Sequence, residues 1–116
     1  MKKVSFEGVG AEYLTFKKAD GADLKKGDFV SVTANGSVGK AVAGEIVGKC
    51  ADICGDYVTV QVKGYMTAPV LSGQSITLGK CHMGIDSDGK AKLLSSADSV
   101  LVTELDTENA IVGFIL

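Results

Sequence analysis

Glycine recurs through this sequence from one end to the other, and it restricts what the chain can fold into more than any other feature. The chain has 15 glycines and a single proline in 116 residues, and the glycines are spread along it without forming a linker. A long helix tolerates interior glycine poorly, because glycine loses more backbone freedom on folding than any other residue. The distribution therefore predicts many short strands joined by turns.

Three related segments indicate how the glycines are used: "KGDFVSV" at 26–32, "CGDYVTV" at 54–60 and "SGQSITL" at 72–78. In each segment a glycine precedes a run in which apolar residues alternate with Ser or Thr. A phosphate-binding loop would instead have clustered glycines before a helix, followed by lysine and a hydroxyl residue. We therefore interpret these glycines as turn residues, each at the start of a strand.

Between the turns the apolar period is two residues. In "YVTVQVK" (57–63), Val58, Val60 and Val62 alternate with polar residues, as in a strand with one buried face. The segment "DSVLVTEL" (98–105) is apolar on both faces for a few residues, which is typical of a central strand. Three dipeptides predict hairpin turns of type I′, with positive φ at both residues: Asp20-Gly21, Asn35-Gly36 and Asp88-Gly89.

Helical signals are weak. No stretch of a dozen residues has the apolar stripe of an amphipathic helix, and the best candidate is a single turn at Ser95–Ser99. The sequence thus predicts a mainly β fold: a small, single-domain antiparallel β-barrel or β-sandwich with at most one short helical turn. We place a polar N-terminal arm at residues 1–10 and the β-rich domain at residues 11–116, a length that suits one core.

Charge and hydropathy disfavour two classes of partner. The net charge is −2, and all 12 basic residues are lysine, whereas proteins that read nucleic acid are typically basic and use arginine. No segment approaches the roughly 20 apolar residues that a membrane-spanning helix needs. Glu7 and Gly8 fall where a signal peptide has its apolar stretch. We expect neither a nucleic-acid nor a membrane partner.

Three cysteines and one histidine are the candidate metal ligands: Cys50, Cys54, Cys81 and His82. Three thiolates and an imidazole form a common structural zinc site. However, Cys81 and His82 are neighbours, and neighbours on a strand point to opposite faces. We assign no metal and interpret the cysteines as reduced, small buried hydrophobic residues.

A catalytic centre is not predicted. Glu104, Asp106 and Glu108 are spaced by two residues, so on a strand they share one face, which we interpret as solvated. His82 is the only histidine, and no nucleophile, base and orienting group are grouped in the sequence. We therefore predict no catalytic residue, no cofactor and no enzyme activity.

Four side chains are candidate partner contacts. Tyr65 and Met66 lie where the "YVTVQVK" strand ends, shortly before Pro69, which cannot donate to a β-ladder and so marks an edge or a departing loop. Aromatic and methionine side chains are enriched in interfaces, although core positions suit them equally. In the N-terminal arm, Val4 and Phe6 would add an edge strand to a neighbour.

The order of these elements resembles the capsid decoration, or head cement, proteins of tailed bacteriophages and prophages. The resemblance rests on the polar start, the "KGDFVSV" strand, the glycine-rich middle, "SGQSITLG", the "DGK" hairpin and the closing "AIVGFIL". It implies a β-rich structural protein of the virion, assembled in the host cytoplasm, which binds the outer surface of the head as a homotrimer. Its partners would be the major capsid protein and copies of itself, and it has no catalytic residues.

Two other functions fit the sequence. A generic small β-barrel module would bind a peptide or a sugar, and a small metalloprotein would use the three cysteines and His82. A stable homotrimer in solution favours the shell protein over the generic module. Metal analysis of protein purified without chelator tests the metalloprotein.

Overall fold

The computed structural model describes residues 10–116, which form β-strands and turns and contain no helix. The mainly β prediction is therefore confirmed. Of the arm predicted at residues 1–10, only Gly10 is described. The strands are β1 Glu12–Lys18, β2 Phe29–Ala34, β3 Ser37–Lys40, β4 Gly44–Glu45, β5 Gly48–Cys54, β6 Tyr57–Lys63, β7 Tyr65–Pro69, β8 Gly79–Ile85, β9 Ala91–Leu93, β10 Ser99–Asp106 and β11 Ile111–Ile115.

The first half of the chain closes into a five-stranded barrel in the order β1-β3-β2-β5-β6. Its pairs are antiparallel except β1 with β3, which is parallel. Because successive side chains on a strand point to opposite faces, one residue in two lies inside. The barrel core consists of Leu24, Val30, Val38, Cys50, Val58 and Val60.

The second half, together with β4 from the first half, forms a six-stranded curled sheet in the order β4-β8-β10-β11-β7, with β9 paired to β8. A single parallel bridge from Val70 to Ala91 joins the end of β7 to β9, so the sheet curls nearly into a second barrel. Leu71 N donates to Ala91 O at 2.9 Å at the same place. The largest fully buried side chain of this half is Phe114.

The two halves repeat one topology. In each, the first strand pairs antiparallel with the last strand and meets the third strand in parallel. The register also repeats, since Leu14 faces Val60 in the first half and Met66 faces Phe114 in the second. Both halves have a register shift at the same point: Cys50 to Asp52 in β5 and Val102 to Glu104 in β10. The domain is thus an internal structural repeat.

Side chains from the first half fasten it to the second. Phe29 and Ala41 belong to the buried cluster of the curled sheet and not to that of the barrel. Lys49 Nζ donates to Thr67 O at 2.7 Å and lies 5.5 Å from the centroid of the Phe29 ring. Gln61 Nε2 donates to Tyr65 O at 3.0 Å. These contacts join the two halves into one packed domain.

Two of the three predicted strand entries are confirmed and the third is wrong. Gly27 and Gly55 have φ of 92° and 58°, and they precede β2 and β6 as expected. The segment 74–78, however, is not a strand, and β8 begins only at Gly79. Gln74 N donates a hydrogen bond to Leu71 O at 3.2 Å, which makes a tight turn. Ile76 lies in the loop that follows and is buried, so the apolar alternation of this segment reflects a side chain that anchors a loop and not a strand.

The hairpin positions at Asn35-Gly36 and Asp88-Gly89 are confirmed, but the type I′ geometry is wrong. Only the glycines have positive φ, 70° at Gly36 and 75° at Gly89. The Asp20-Gly21 dipeptide follows β1 without making a hairpin, because β1 pairs with β3 and β6.

The helical turn predicted at Ser95–Ser99 is also wrong. Ala97 N donates to Leu94 O in a tight turn, and Ala97 O contacts His82 Nδ1, so no helix follows. The predicted central strand "DSVLVTEL" is confirmed as β10, which lies between β8 and β11. Within residues 10–116 there is no helix long and apolar enough to cross a membrane.

Candidate interaction surface

The predicted partner contacts separate in the structure. Val4 and Phe6 lie outside the described residues. Met66 is 3% exposed and packs in the core of the curled sheet, so it is a core residue and not a surface contact. Tyr65 is half-buried at the start of β7, and Pro69 ends this strand, which is the last in the sheet order, as expected of an edge.

Tyr65 takes part in a contact that the sequence analysis missed. Its hydroxyl donates a short hydrogen bond to Glu104 Oε1 on β10, across the intervening strand β11. Gly113 lies between them, and a Cβ there would stand 2.5 Å from the Tyr65 hydroxyl and 2.7 Å from Glu104. Glycine at position 113 is therefore what allows these two side chains to meet over the sheet.

We call the surface around this contact the acidic groove. It is a cleft of about 460 Å³ in which Tyr65 and Thr67 face the carboxylates of Glu104, Asp106 and Glu108. The expectation that the three carboxylates share one strand face holds for Glu104 and Asp106, whereas Glu108 lies in the turn after β10. Asp106 caps this turn by accepting hydrogen bonds from Asn109 N at 3.1 Å and Asn109 Nδ2 at 2.9 Å.

A second cleft adjoins the acidic groove at the open end of the curled sheet, and we call it the mouth cleft. It encloses about 440 Å³ between the loop 70–76 and the turn 105–111. Ile111, which is 41% exposed, lines both clefts. Together they form one depression with an apolar end and an acidic side, and none of the lining residues within 10–116 is a lysine.

The corresponding turn of the first half is shorter. Gly55 and Asp56 suffice to join β5 to β6, whereas Thr107–Ala110 join β10 to β11. Ala110 adopts a positive φ of 53°, which non-glycine residues seldom do. The longer turn places Glu108 in the lining of the acidic groove, so the two halves of the repeat differ at this surface.

The candidate metal ligands are dispersed. Cys50 is buried in the barrel and Cys81 in the curled sheet, while Cys54 is exposed at the end of β5. His82 is exposed, with Nδ1 2.7 Å from Ala97 O. Among residues 10–116, no three His, Cys, Asp or Glu side chains are grouped closely enough to hold a metal ion.

Burial perturbs two ionisable groups near the junction of the halves. Desolvation raises the pKa of the Cys50 thiol, and the charge of Asp28 raises it further. The Cys50 thiol donates to Asp52 O at 3.8 Å. Desolvation also lowers the pKa of Lys49, the residue that bridges to Thr67 O. Cys50 packs in the barrel core, and Lys49 connects β5 to β7.

Two exposed carboxylates predict a loss of stability in acid. Asp86 accepts hydrogen bonds from the backbone N–H groups of Lys90 and Asp88, and these bonds lower its pKa from the usual 3.8. The pKa of Asp52 is lowered by the backbone N–H of Ile53 and, after it, by Lys26. A depressed folded-state pKa gives stability that is present above the unfolded pKa and is lost as pH falls through the folded value. We expect Asp86→Asn, which still accepts both bonds but does not titrate there, to flatten this loss below pH of about 4.

Thermal denaturation across that pH range measures the effect. The wild-type melting temperature should fall more steeply with acid than that of the variant. Parallel slopes for the two proteins would show that the charge of Asp86 does not support the β8–β9 turn.

No protein-family model matches this chain, and no curated protein is significantly similar to it. The candidate surface therefore rests on its own geometry, which is a depression with an apolar end and an acidic side on a β scaffold.

Proposed function

We propose that this protein is a non-catalytic structural protein of a phage virion that binds the outer surface of the head and stabilises it as a homotrimer. The major capsid protein is its partner, with further copies of itself. The resemblance of its strand and turn motifs to head decoration proteins supports the proposal. So does an apolar surface on β1, which follows directly on the N-terminal arm.

That apolar surface is the observation on which the proposal most depends. Leu14 occupies the position in the first half that Met66 occupies in the second, yet Leu14 is 53% exposed and Met66 is 3% exposed. Tyr13, the preceding residue on β1, is also 53% exposed, on the opposite face of the strand. A position that is core in one half is thus open in the other, and exposed apolar surface of this kind is typical of interaction sites.

Stabilising a shell requires buried area and not a lowered reaction barrier. A standard protein interface buries about 1,600 Å² in total. A trimer that contacts several shell subunits multiplies modest individual contacts through avidity. Other large apolar side chains are also exposed on the described part of the chain: Val32, Val42, Val47, Tyr57, Leu78, Leu93, Leu101 and Ile111.

Deleting residues 1–8 is expected to leave the domain folded and to abolish attachment to heads. The physical reason is that Val4 and Phe6 supply an extended contact to a neighbour, whereas the barrel and the curled sheet are built from residues 12–115. Co-sedimentation with empty heads of the corresponding phage measures attachment, and circular dichroism measures folding. Retained attachment of a folded deletion variant would refute the role of the arm.

The generic binding module is a second candidate, which the mouth cleft of about 440 Å³ favours. Barrel mouths are common ligand sites. Such a module would remain monomeric and would bind its ligand without heads. Light scattering of the purified chain separates the two: a homotrimer supports the shell protein, and a monomer supports the module.

A further inference from the structure

The turn between β2 and β3 carries the one asparagine of this chain that is followed by glycine. Asparagine occurs at two positions, Asn35 and Asn109, and Gly36 follows the first of them. Asn35 and Gly36 are both exposed and join the two strands of the hairpin. Among residues 10–116 no hydrogen bond reaches the Asn35 side chain, so nothing in this part of the chain holds its amide in place.

An asparagine in this setting reacts with its own backbone. The Gly36 nitrogen loses its proton to a solvent base and attacks Cγ of Asn35, so an N–C bond forms, and the side-chain nitrogen takes up a proton and leaves as ammonia. Water then opens the resulting five-membered imide at either carbonyl. One opening leaves aspartate, and the other leaves isoaspartate, in which the main chain runs through Cβ and Cγ. Glycine favours the attack, because it has no side chain beside its nitrogen and has the freest backbone.

The second asparagine lacks both conditions, although it is also exposed in a turn. Ala110 follows Asn109, and its methyl group stands next to the nitrogen that would attack. Asn109 Nδ2 donates to Asp106 Oδ2 at 2.9 Å, and Asn109 N donates to Asp106 Oδ1 at 3.1 Å, so this side chain is held by the turn. The chain thus contains its own comparison between an unheld asparagine before glycine and a held asparagine before alanine.

The turn at Asn35 lies beside the parallel strand pair that closes the barrel. Gly36 O accepts a hydrogen bond from Lys17 N at 2.8 Å, directly after the peptide bond that would rearrange. Strands β1 and β3 pair at only two positions, one of which is Val38. Val38 is 0% exposed and belongs to the barrel core. A change in main-chain length before Gly36 therefore acts on the closure of the barrel.

The two products should affect this closure differently. Aspartate adds a negative charge at an exposed turn but keeps the length of the main chain, and surface changes of this kind cost little stability. Isoaspartate inserts one carbon into the main chain before Gly36. Only two residues connect β2 to β3, so the added carbon moves Gly36 O away from Lys17 N while β3 keeps its register with β2.

We propose that Asn35 is a site of spontaneous deamidation and that its isoaspartate product weakens the β1–β3 pairing that closes the barrel. The conversion consumes only water and needs no enzyme or cofactor. It adds one negative charge to a chain whose formal net charge is −2, so converted molecules separate from unconverted ones by ion exchange.

Peptide mapping by mass spectrometry, after incubation of the purified full-length chain at mildly alkaline pH, tests the site. The peptide that contains Asn35 should gain the mass of an amide-to-acid exchange and divide into two products, and enzymatic methylation should label the isoaspartate product. The peptide that contains Asn109 should stay unchanged over the same time. Conversion should be slower at mildly acidic pH, because the Gly36 nitrogen must lose a proton.

A synthetic peptide of residues 31–40 and the Asn35→Gln chain are the matched controls. The peptide gives the rate of the reaction without the fold. The longer side chain of the Asn35→Gln variant must close a six-membered ring, which is slower, so this chain should stay unconverted. A folded chain in which Asn35 persists while the peptide converts, or in which Asn109 converts as fast as Asn35, would overturn the site.

Thermal unfolding and hydrogen exchange of the separated isoaspartate form test the effect on the barrel. Its melting temperature should be lower by about 4 °C or more, the shift expected when about one backbone hydrogen bond is lost from a domain of this size. The Lys17 amide should exchange faster, because it loses its acceptor. Freshly purified Asn35→Asp carries the same charge without the added carbon and should match the wild type in both measurements. Equal values for the isoaspartate form and Asn35→Asp would contradict the weakened closure, and none of these results depends on binding to heads.

Discussion

Replacing Phe114 by alanine is expected to lower the free energy of unfolding by about 3–5 kcal/mol. Phe114 is fully buried on β11 and is the largest side chain of the second core at that level of burial. Its ring packs in the cluster that includes Met66, Val102 and the incoming Phe29. Because strands of a curled sheet cannot easily close over a missing ring, most of the cavity remains. Urea denaturation, followed by circular dichroism, measures the change.

Tyr57→Ala is the matched control for Phe114→Ala, because it removes a ring of similar size from a strand position that is 58% exposed. Its cost should stay within about 0.5 kcal/mol, as for most surface substitutions. Since a domain of this kind is stable by about 5–15 kcal/mol in total, the Phe114 variant should be near its folding limit. Equal losses for the two variants would show that the second half lacks the packed core described.

Gly84→Ala is expected to cost about 3 kcal/mol, at the upper end for overpacking. Gly84 is buried on β8, where a Cβ would overlap the carbonyl oxygen of Gly44 and approach Leu94 Cδ2 to 2.8 Å. The Gly44 carbonyl is backbone and cannot rotate away. Strand β4 would have to leave β8, which removes the pairing of Glu45 with Gly84.

Gly39→Ala tests whether this cost is specific to position 84. Gly39 is also a buried strand glycine, but an added Cβ would approach only Thr33 Cγ2 at 3.2 Å, a side-chain atom that can shift by a few tenths of an ångström. Ala19 Cβ would lie at an ordinary contact distance of 3.8 Å. Its loss of stability should be less than about 1 kcal/mol. If thermal unfolding finds Gly39→Ala as costly as Gly84→Ala, the close approach of β4 to β8 is not what requires glycine.

The sequence correctly predicted strands that bury one face, but it did not indicate which residues lie between two hydrophobic cores. Val58 and Val60 are 1% and 0% exposed, as their alternation predicts. Phe29 and Val30 are neighbours on β2, yet both are buried, because β2 lies between the barrel core and the core of the curled sheet. Alternation cannot indicate this, since it assumes that one face meets solvent.

A loop that buries one apolar side chain in a core can have the same short apolar alternation as a strand. The run "SITL" alternates, and Ile76 is buried while Leu78 is 63% exposed, but the segment makes no ladder. Four residues are too few for periodicity to distinguish a strand from a loop that buries one side chain. The same weakness applies to the predicted helical turn at Ser95–Ser99, where local serine chemistry fits a tight turn equally well.

The acidic groove was predicted only in part, because it depends on residues distant in sequence. Glu104 and Asp106 were placed on one strand face correctly, but Tyr65 meets Glu104 only because Gly113 separates them without a side chain. A signal for the repeat was present in the sequence: "YLT" at 13–15 recurs as "YMT" at 65–67. Aligning these copies would have paired the halves and exposed the turn in which they differ.

The two halves of the repeat expose different surfaces. The second half buries Met66 at the position where the first half exposes Leu14. The first half thus presents apolar surface at Leu14, and the second half presents the acidic groove.

Co-sedimentation of the intact, purified chain with empty heads is the direct test of whether the protein binds heads. The heads are assembled from the major capsid protein of the same phage, and the bound protein is measured over a range of added protein. The account predicts saturable binding that plateaus at a fixed number of copies per shell subunit. Protein that stays in the supernatant at every concentration, while it remains folded, would contradict it.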